Sequence, residues 1–333
     1  MTNISDNPIY SIALAYQTTA ALVAAVKLDV FSLIGAGSNT TDLLSSKTGA
    51  SIRGLRILCD YLTVIGLLNK EDSIYGLTPE ARRYLDTSSS GAVASFIDFF
   101  AAPEMISLFL NDPVSYVRHG GALGLGNLSP DNPIWLRFAK AVVPFATPAA
   151  KRIAMYVSTL EERPHTVLDV ASGHGLYGIE VARVCVDAIV TAVDSDEVLT
   201  LARANAKSAG IDHRYVTVPG SAFDVEWGSR FDLILLPNFL HHFNHDECIV
   251  LLRKIRNSLS SEGRAFIIEF VPNEDRVSPP FQASFAFWML ASTPSGDAYT
   301  LSDLGSMAYD AGFARITARA LPPTPQTLVI LQG

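Results

Sequence analysis

The chain has 333 residues, 49% of them hydrophobic and 17% charged, which is enough for two domains that each bury a core. With 33 acidic against 25 basic residues and a formal charge of −8, it lacks the broad basic surface that would hold a nucleic acid. Cys59, Cys185 and Cys248 lie far apart without metal-ligand spacing, and read as reduced core thiols of a cytoplasmic protein.

The N-terminus lacks the basic segment of a signal peptide, and the apolar stretch from Ile9 to Val30 is interrupted by Gln17, Thr18, Thr19, Lys27 and Asp29, so no membrane span is expected. From Pro8 to Leu33 apolar residues cover most of a helix surface, which predicts a helix packed against a second subunit. Thr40-Thr-Asp offers an N-cap, and Ser51 opens a helix that runs through Leu55, Leu58, Leu62 and Ile65 to Gly66. Leu67–Lys70 and Ser73–Leu77 alternate as a two-stranded wing around Glu71-Asp72, and Thr78-Pro-Glu starts a further helical turn. Residues 1–90 therefore read as a winged helix-turn-helix. Its recognition helix sets Arg53 and Arg56 against Asp60, and its wing sets Lys70 against Glu71 and Asp72. Such a surface repels phosphate, so the module is expected to be a dimerisation platform and not a DNA reader.

Residues 91–160 read as a helical linker with pocket-lining positions. Phe96, Phe99, Phe100, Met105 and Phe109 form an aromatic-rich helix, a Gly/Pro-rich run from Gly120 to Pro133 follows, and Trp135, Phe138, Val142 and Phe145 precede a helix over Pro148–Leu160. Aromatics at helical spacing suit a core; placed between two domains, some of them suit a hydrophobic pocket.

From residue 161 the pattern changes to alternation. Val167-Leu-Asp-Val-Ala-Ser-Gly-His-Gly-Leu-Tyr-Gly178 is an apolar strand, a glycine turn and the start of a helix, and Asp194 ends the next strand about twenty residues on. The helix start offers unpaired N–H groups and Asp194 can accept from both ribose hydroxyls, so an adenosine ligand is expected. Gly173-His-Gly175-Leu-Tyr-Gly178 also spells G-x-G-x-x-G, which keeps a nicotinamide-dependent oxidoreductase open. Asp169 points the other way, because a carboxylate beside the turn suits the ammonium and sulfonium of S-adenosylmethionine and not a pyrophosphate. A second reading of Asp169 is a tie to the backbone N–H groups of the turn.

Strands follow at Ile189–Val193, Arg214–Val218, Phe231–Leu236 and Ala265–Glu269, with helices near Leu176–Val186, Glu197–Ser208 and His245–Leu259. This spacing predicts a parallel sheet covered on both faces. After a helix over Thr300–Ala311, strands Phe313–Arg319 and Gln326–Leu331 are joined too tightly for a crossover helix, so they form a hairpin. A seven-stranded Rossmann-like sheet ending in an antiparallel hairpin is the class I methyltransferase arrangement, here over residues 161–333.

The chain from about residue 8 to 333 resembles the small-molecule O-methyltransferases with an N-terminal winged-helix dimerisation domain, the caffeate and hydroxyindole enzymes and their bacterial counterparts. The resemblance rests on Leu168–Gly175, Val193-Asp194, Phe231–Leu236, Phe239-Leu-His-His-Phe243 with Asp246-Glu-Cys248, and Tyr299-Thr300 before Ala311-Gly-Phe313. It implies a homodimer that binds S-adenosylmethionine and a hydrophobic small-molecule acceptor. The methionine end would lie at Asp169, Ala171, Gly173, His174 and Gly175, the ribose at Asp194 and Ser195, and the adenine at Gly220, Ser221, Ala222 and Phe223, with Asn238 completing the site. His241 falls at the family's general base and Glu269 at its first orienting carboxylate. Ser221 replaces a usual Asp, and the family's second glutamate is Ala298 here, with Asp297 one residue earlier. These departures leave open carbon methylation, other chemistry, or a dimer that binds the cofactor without catalysis.

Overall fold

A computed structural model describes residues 8–122 and 132–333 and divides the chain into two compact units, Met1–Ile106 and Ser107–Gly333. In the first unit the expected long N-terminal helix is three: α1 (Pro8–Ala13), α2 (Ala15–Lys27) and α3 (Val30–Gly35). The break before α3 is Asp29, held left-handed at φ 53°, a conformation that a short polar side chain tolerates. Next come α4 (Thr41–Thr48) and α5 (Ile52–Val64), capped by the hydroxyls of Thr40 and Ser51, which accept from Leu43 N and Gly54 N. Strands β1 (Leu68–Glu71) and β2 (Ile74–Leu77) pair antiparallel about Asp72, as the alternation predicted. Thr78 caps α6 (Pro79–Tyr84), and α7 (Ala94–Phe100) follows. Phe31, Leu44, Leu55, Leu62, Leu68 and Tyr75 fill the core of this unit. Arg56 and Lys70 both pair with Asp60, so these two cations of the helix and wing are tied down internally.

The expected aromatic helix through Phe109 is interrupted at Ala101-Ala102-Pro103, and α8 (Pro103–Leu110) is separate from α7. Beyond α9 (Pro113–His119), residues 123–131 of the Gly/Pro-rich run lie outside the described residues. The helix expected from Pro148 instead starts much earlier: α10 (Ile134–Ser158) is continuous through Pro144 and Pro148. Each proline costs about 3 kcal/mol of helix stability. Its face of Ala146, Ala149, Ala150, Ile153 and Val157 is buried against the sheet, and Thr147 Oγ1 donates to Val143 O, so packing outweighs that cost.

The sheet alternates as predicted: β3 (Thr166–Val170), α11 (Leu176–Val184), β4 (Ile189–Asp194), α12 (Asp196–Ser208), β5 (Tyr215–Pro219), β6 (Phe231–Pro237), α13 (His245–Ser258) and β7 (Leu259–Glu269). After α14 (Pro280–Ser292) and α15 (Leu301–Asp310), β8 (Arg315–Ala320) and β9 (Thr327–Gln332) form the closing hairpin. Sequence periodicity gives little sign of α14, because Phe281, Phe287, Met289 and Leu290 spread apolar residues around the whole helix. Strand order is β5-β4-β3-β6-β7-β9-β8, parallel as far as β7 and antiparallel where β9 inserts. α10, α11 and α12 cover one face and α13 and α15 the other. Chain order reverses between β3 and β6, so the crevice for a ligand lies at their carboxyl ends.

Candidate active site

The turn after β3 is shaped for close approach. Ala171 (φ 51°), Gly173 (φ 55°) and Gly175 (φ 74°) are all left-handed, and a methyl added to Gly175 would lie 2.4 Å from Tyr215 OH. Asp194 at the end of β4 holds this turn: Oδ2 accepts from Gly173 N at 2.8 Å and Oδ1 from Ser195 N at 2.8 Å. Each oxygen keeps a second lone pair for a hydroxyl. Gly220 N donates to Asp194 O at 2.8 Å, which brings the loop of Ser221, Ala222 and Phe223 beside the same strand end. His174 is 5% exposed, and Nδ1 accepts from Leu176 N at 3.1 Å. Burial pushes its pKa down to about 4, so the ring is neutral and presents Nε2–H as a donor.

Asp169 is fully buried, and both readings of it have a footing. Oδ2 accepts from Gly178 N at 2.9 Å, while Oδ1 has no partner among the described residues. Ser195 Oγ is orphaned in the same way. Burial raises the Asp169 pKa to about 8, against the pull of Gly178 N–H and with the help of nearby Asp194. A buried acceptor that lacks a donor beside a backbone-lined turn fits the cationic end of S-adenosylmethionine and does not fit a pyrophosphate.

A second cluster sits at the ends of β6 and β7. His241, on a short 3₁₀ turn, is 5% exposed and Glu269 4%. His241 Nδ1 lies 2.6 Å from Glu269 Oε2, and Oε1 accepts from Phe239 N at 3.0 Å and His241 N at 3.4 Å. Glu269 thus fixes both the ring and the backbone that carries it, and in the tautomer whose Nδ1–H donates to Glu269 the lone pair is on Nε2. The ring meets Phe285 edge-on at 4.8 Å and lies 6.5 Å from Phe270. Phe270 packs on Phe281 and Phe285, and Phe145 on Phe270 and Phe281, so α10 and α14 close an aromatic wall around His241. Of the aromatics expected to line a pocket, Phe145 joins this wall, and Phe109 packs on Phe287 and Trp288 of α14. His242 lies 4.4 Å from His241 ring to ring, and burial first, then the neighbouring imidazole, holds its pKa well below the usual value.

Among the described residues, no second carboxylate pairs with the ring. Ala298 is buried, and Asp297 pairs with Arg276 at 3.4 Å while its backbone N donates to His241 O. Asn238, left-handed at φ 53°, donates its backbone N–H to Ile268 O and meets Tyr177 and Gln326. Tyr177 and Gln326 gave no sequence signal: one reads as a helix core residue, the other as the end of a short link, and only folding joins them across 149 positions.

An O-methyltransferase domain model matches residues 147–314, and an O-methyltransferase dimerisation domain model matches residues 10–87. The crystal structure of a Nostoc punctiforme PCC 73102 protein assigned as an O-methyltransferase is 41% identical, with a TM-score of 0.92 over 98% of each chain. The 3-hydroxy-5-methyl-1-naphthoate 3-O-methyltransferase of Streptomyces sahachiroi is 25% identical over 92% of this chain and 89% of its own. Human N-acetylserotonin methyltransferase in complex with S-adenosylmethionine shares the fold, with a TM-score of 0.83 at 19% identity over 99% of this chain and 98% of that one. The glycine turn, the orphaned acceptor beside it and these matches agree, and the chain belongs to the O-methyltransferase family, whose methyl donor is S-adenosylmethionine.

Proposed function

We propose that this enzyme methylates a hydroxyl of a hydrophobic, aromatic small molecule, with His241 as general base and Glu269 as the group that orients it. The observation that carries the reading is the 2.6 Å contact between His241 Nδ1 and Glu269 Oε2 inside a wall of Phe145, Phe270, Phe281 and Phe285. S-adenosylmethionine supplies a methyl group on a cationic sulfur, and a neutral hydroxyl is a poor nucleophile towards it. Nε2 accepts the acceptor's proton as the oxygen attacks, and Glu269 stabilises the imidazolium. The glycine turn binds the methionine end, Asp194 and Ser195 the ribose, and Ser221, Ala222 and Phe223 the adenine, with Gly220 letting that loop fold back and Asn238 beside the reacting centre. Curated relatives that act on a naphthoate, a tetracenomycin polyketide and a phenazine support a fused-ring acceptor.

The first unit is read as a winged-helix platform for a homodimer, supported by the dimerisation-domain match and by exposed Ile9, Ile12 and Tyr16. Three buried free cysteines favour a reducing, cytoplasmic setting, and no helix of the described residues is long and apolar enough to cross a membrane. Because His241 has one carboxylate partner and not two among the described residues, a binder of S-adenosylmethionine without O-methylation is the second reading. A panel of naphthols, hydroxyphenazines and polyketide phenols with labelled methyl donor decides between them. Labelled methyl ethers, formed at turnover above the buffer background, are the expected product. Tight S-adenosylhomocysteine binding with no transfer to any of them would favour the binder.

A further inference from the structure

The loop after β5 is held from behind by one side chain that the catalytic reading does not use. Lys254 Nζ, on α13, donates to Ala222 O at 3.0 Å, Phe223 O at 3.1 Å and Val225 O at 2.7 Å. The same ammonium stands 4.1 Å above the Trp227 ring, and Trp227 Nε1 donates to Ser258 Oγ at 2.8 Å, which in turn donates to Lys254 O at 2.9 Å. Three carbonyls within four residues converge on a single cation, and the helix that supplies it also supplies the anchor of the aromatic ring beneath it.

The rest of the loop is held by its own turn and by packing, with Ala222 buried and Phe223 and Val225 against the same core. Asp224 N and Val225 N close a turn on Ser221 O, Phe223 N donates to Ser221 Oγ, and the Phe223 ring meets Phe243 edge-on at 4.9 Å. Three carbonyl dipoles aimed at one point repel each other unless a positive charge lies there. α13 begins immediately after the turn that carries His241, with an Asn244–Glu247 capping box fixing its first turn. The helix that carries Lys254 therefore follows directly on the turn that carries His241.

We propose that Lys254 is a positioning residue for the cofactor: its ammonium clamps the Ala222–Val225 backbone so that the loop is preformed for the purine, in register with His241. The proposal rests on the reading of Ser221, Ala222 and Phe223 as the adenine end of the site. Preorganisation of this kind lowers the ordering cost of binding, so its loss falls on cofactor affinity and on selectivity for the base.

The test uses the full-length enzyme with Lys254→Met, which keeps the stem over Trp227 and removes the donors, and with Lys254→Arg as rescue. Calorimetry with S-adenosylhomocysteine and with S-inosylhomocysteine gives affinity and base preference, and the KM for S-adenosylmethionine is compared with the KM for the acceptor. Lys254→Met should weaken S-adenosylhomocysteine by roughly tenfold or more, the scale of charge-assisted hydrogen bonds. It should also shrink the preference for adenosine over inosine and raise the KM for S-adenosylmethionine well beyond that for the acceptor. Lys254→Arg should recover most of each. If the Met variant does not fold, Lys254→Gln, with two donors and no charge, should fall between wild type and loss. Wild-type affinity and base preference in Lys254→Met, or in Lys254→Gln where that is the folded variant, overturns the proposal. Phe223→Ala separates the two layers. An unchanged base preference in that variant means that the loop is not at the purine, whereas a changed preference there beside an unaffected Lys254 variant removes the clamp alone.

Discussion

Among the described residues, His241 has one ring nitrogen committed to Glu269 and no hydrogen bond on the other, whereas His242 is held neutral by burial and makes no comparable contact. His241→Ala should therefore cut turnover by about 10²–10⁴-fold with S-adenosylhomocysteine affinity nearly unchanged, and His242→Ala should cost far less. Equal losses in the two variants would remove the base assignment. Asp169 provides a pH prediction. Its folded pKa of about 8 lies above the ordinary 3.8, so between those values the folded protein keeps a proton that the unfolded chain has lost. Stability contributed by this group falls as pH rises through that window. Asp169→Asn preserves an acceptor for Gly178 N and cannot ionise, so its denaturant midpoint should fall less than that of wild type between pH 5 and about 8. Parallel pH profiles for the two proteins would show that Asp169 does not ionise differently on folding.

Among the elements, α11 is closely packed at Gly178. A methyl at Gly178 would lie 2.8 Å from Val190 Cγ1 and 2.9 Å from Asp169 Oδ2, neither of them the far end of a flexible chain. Gly178→Ala must push α11 away from β4, with an expected loss of about 1–3 kcal/mol and weaker S-adenosylhomocysteine binding, because the glycine turn moves with the helix. Denaturation and calorimetry on one variant would check both effects; loss of stability with unaltered affinity would show that turn and helix move independently. α10 makes the complementary point. Two prolines in its sequence argue for a break, yet the buried alanine and branched residues on one face keep it whole.

For the whole molecule, the exposed apolar residues of the first helices set the prediction. Ile9 is 70% exposed, Ile12 75% and Tyr16 59% in the single chain, a surface that an obligate dimer interface on the order of 2,000 Å² would cover. Removing residues 1–35 should yield aggregated protein, and a soluble, active monomer in sedimentation would contradict the dimer.

The succession of strands and helices, the glycine turn, Asp194 at a strand end, the β1–β2 hairpin and the closing hairpin were legible along the chain, because period, capping and turn chemistry are local and survive without partners. So was the position of His241, just after β6, and of Glu269, at the end of β7, since the alternation places both at one edge of a parallel sheet. Tertiary structure alone decided the continuity of α10, the existence of α14, and the meeting of Tyr177, Asn238 and Gln326. Whether burial outweighs a proline, which side of an evenly apolar helix faces inward, and which distant polar groups satisfy each other all depend on surfaces that do not exist until the sheet has formed.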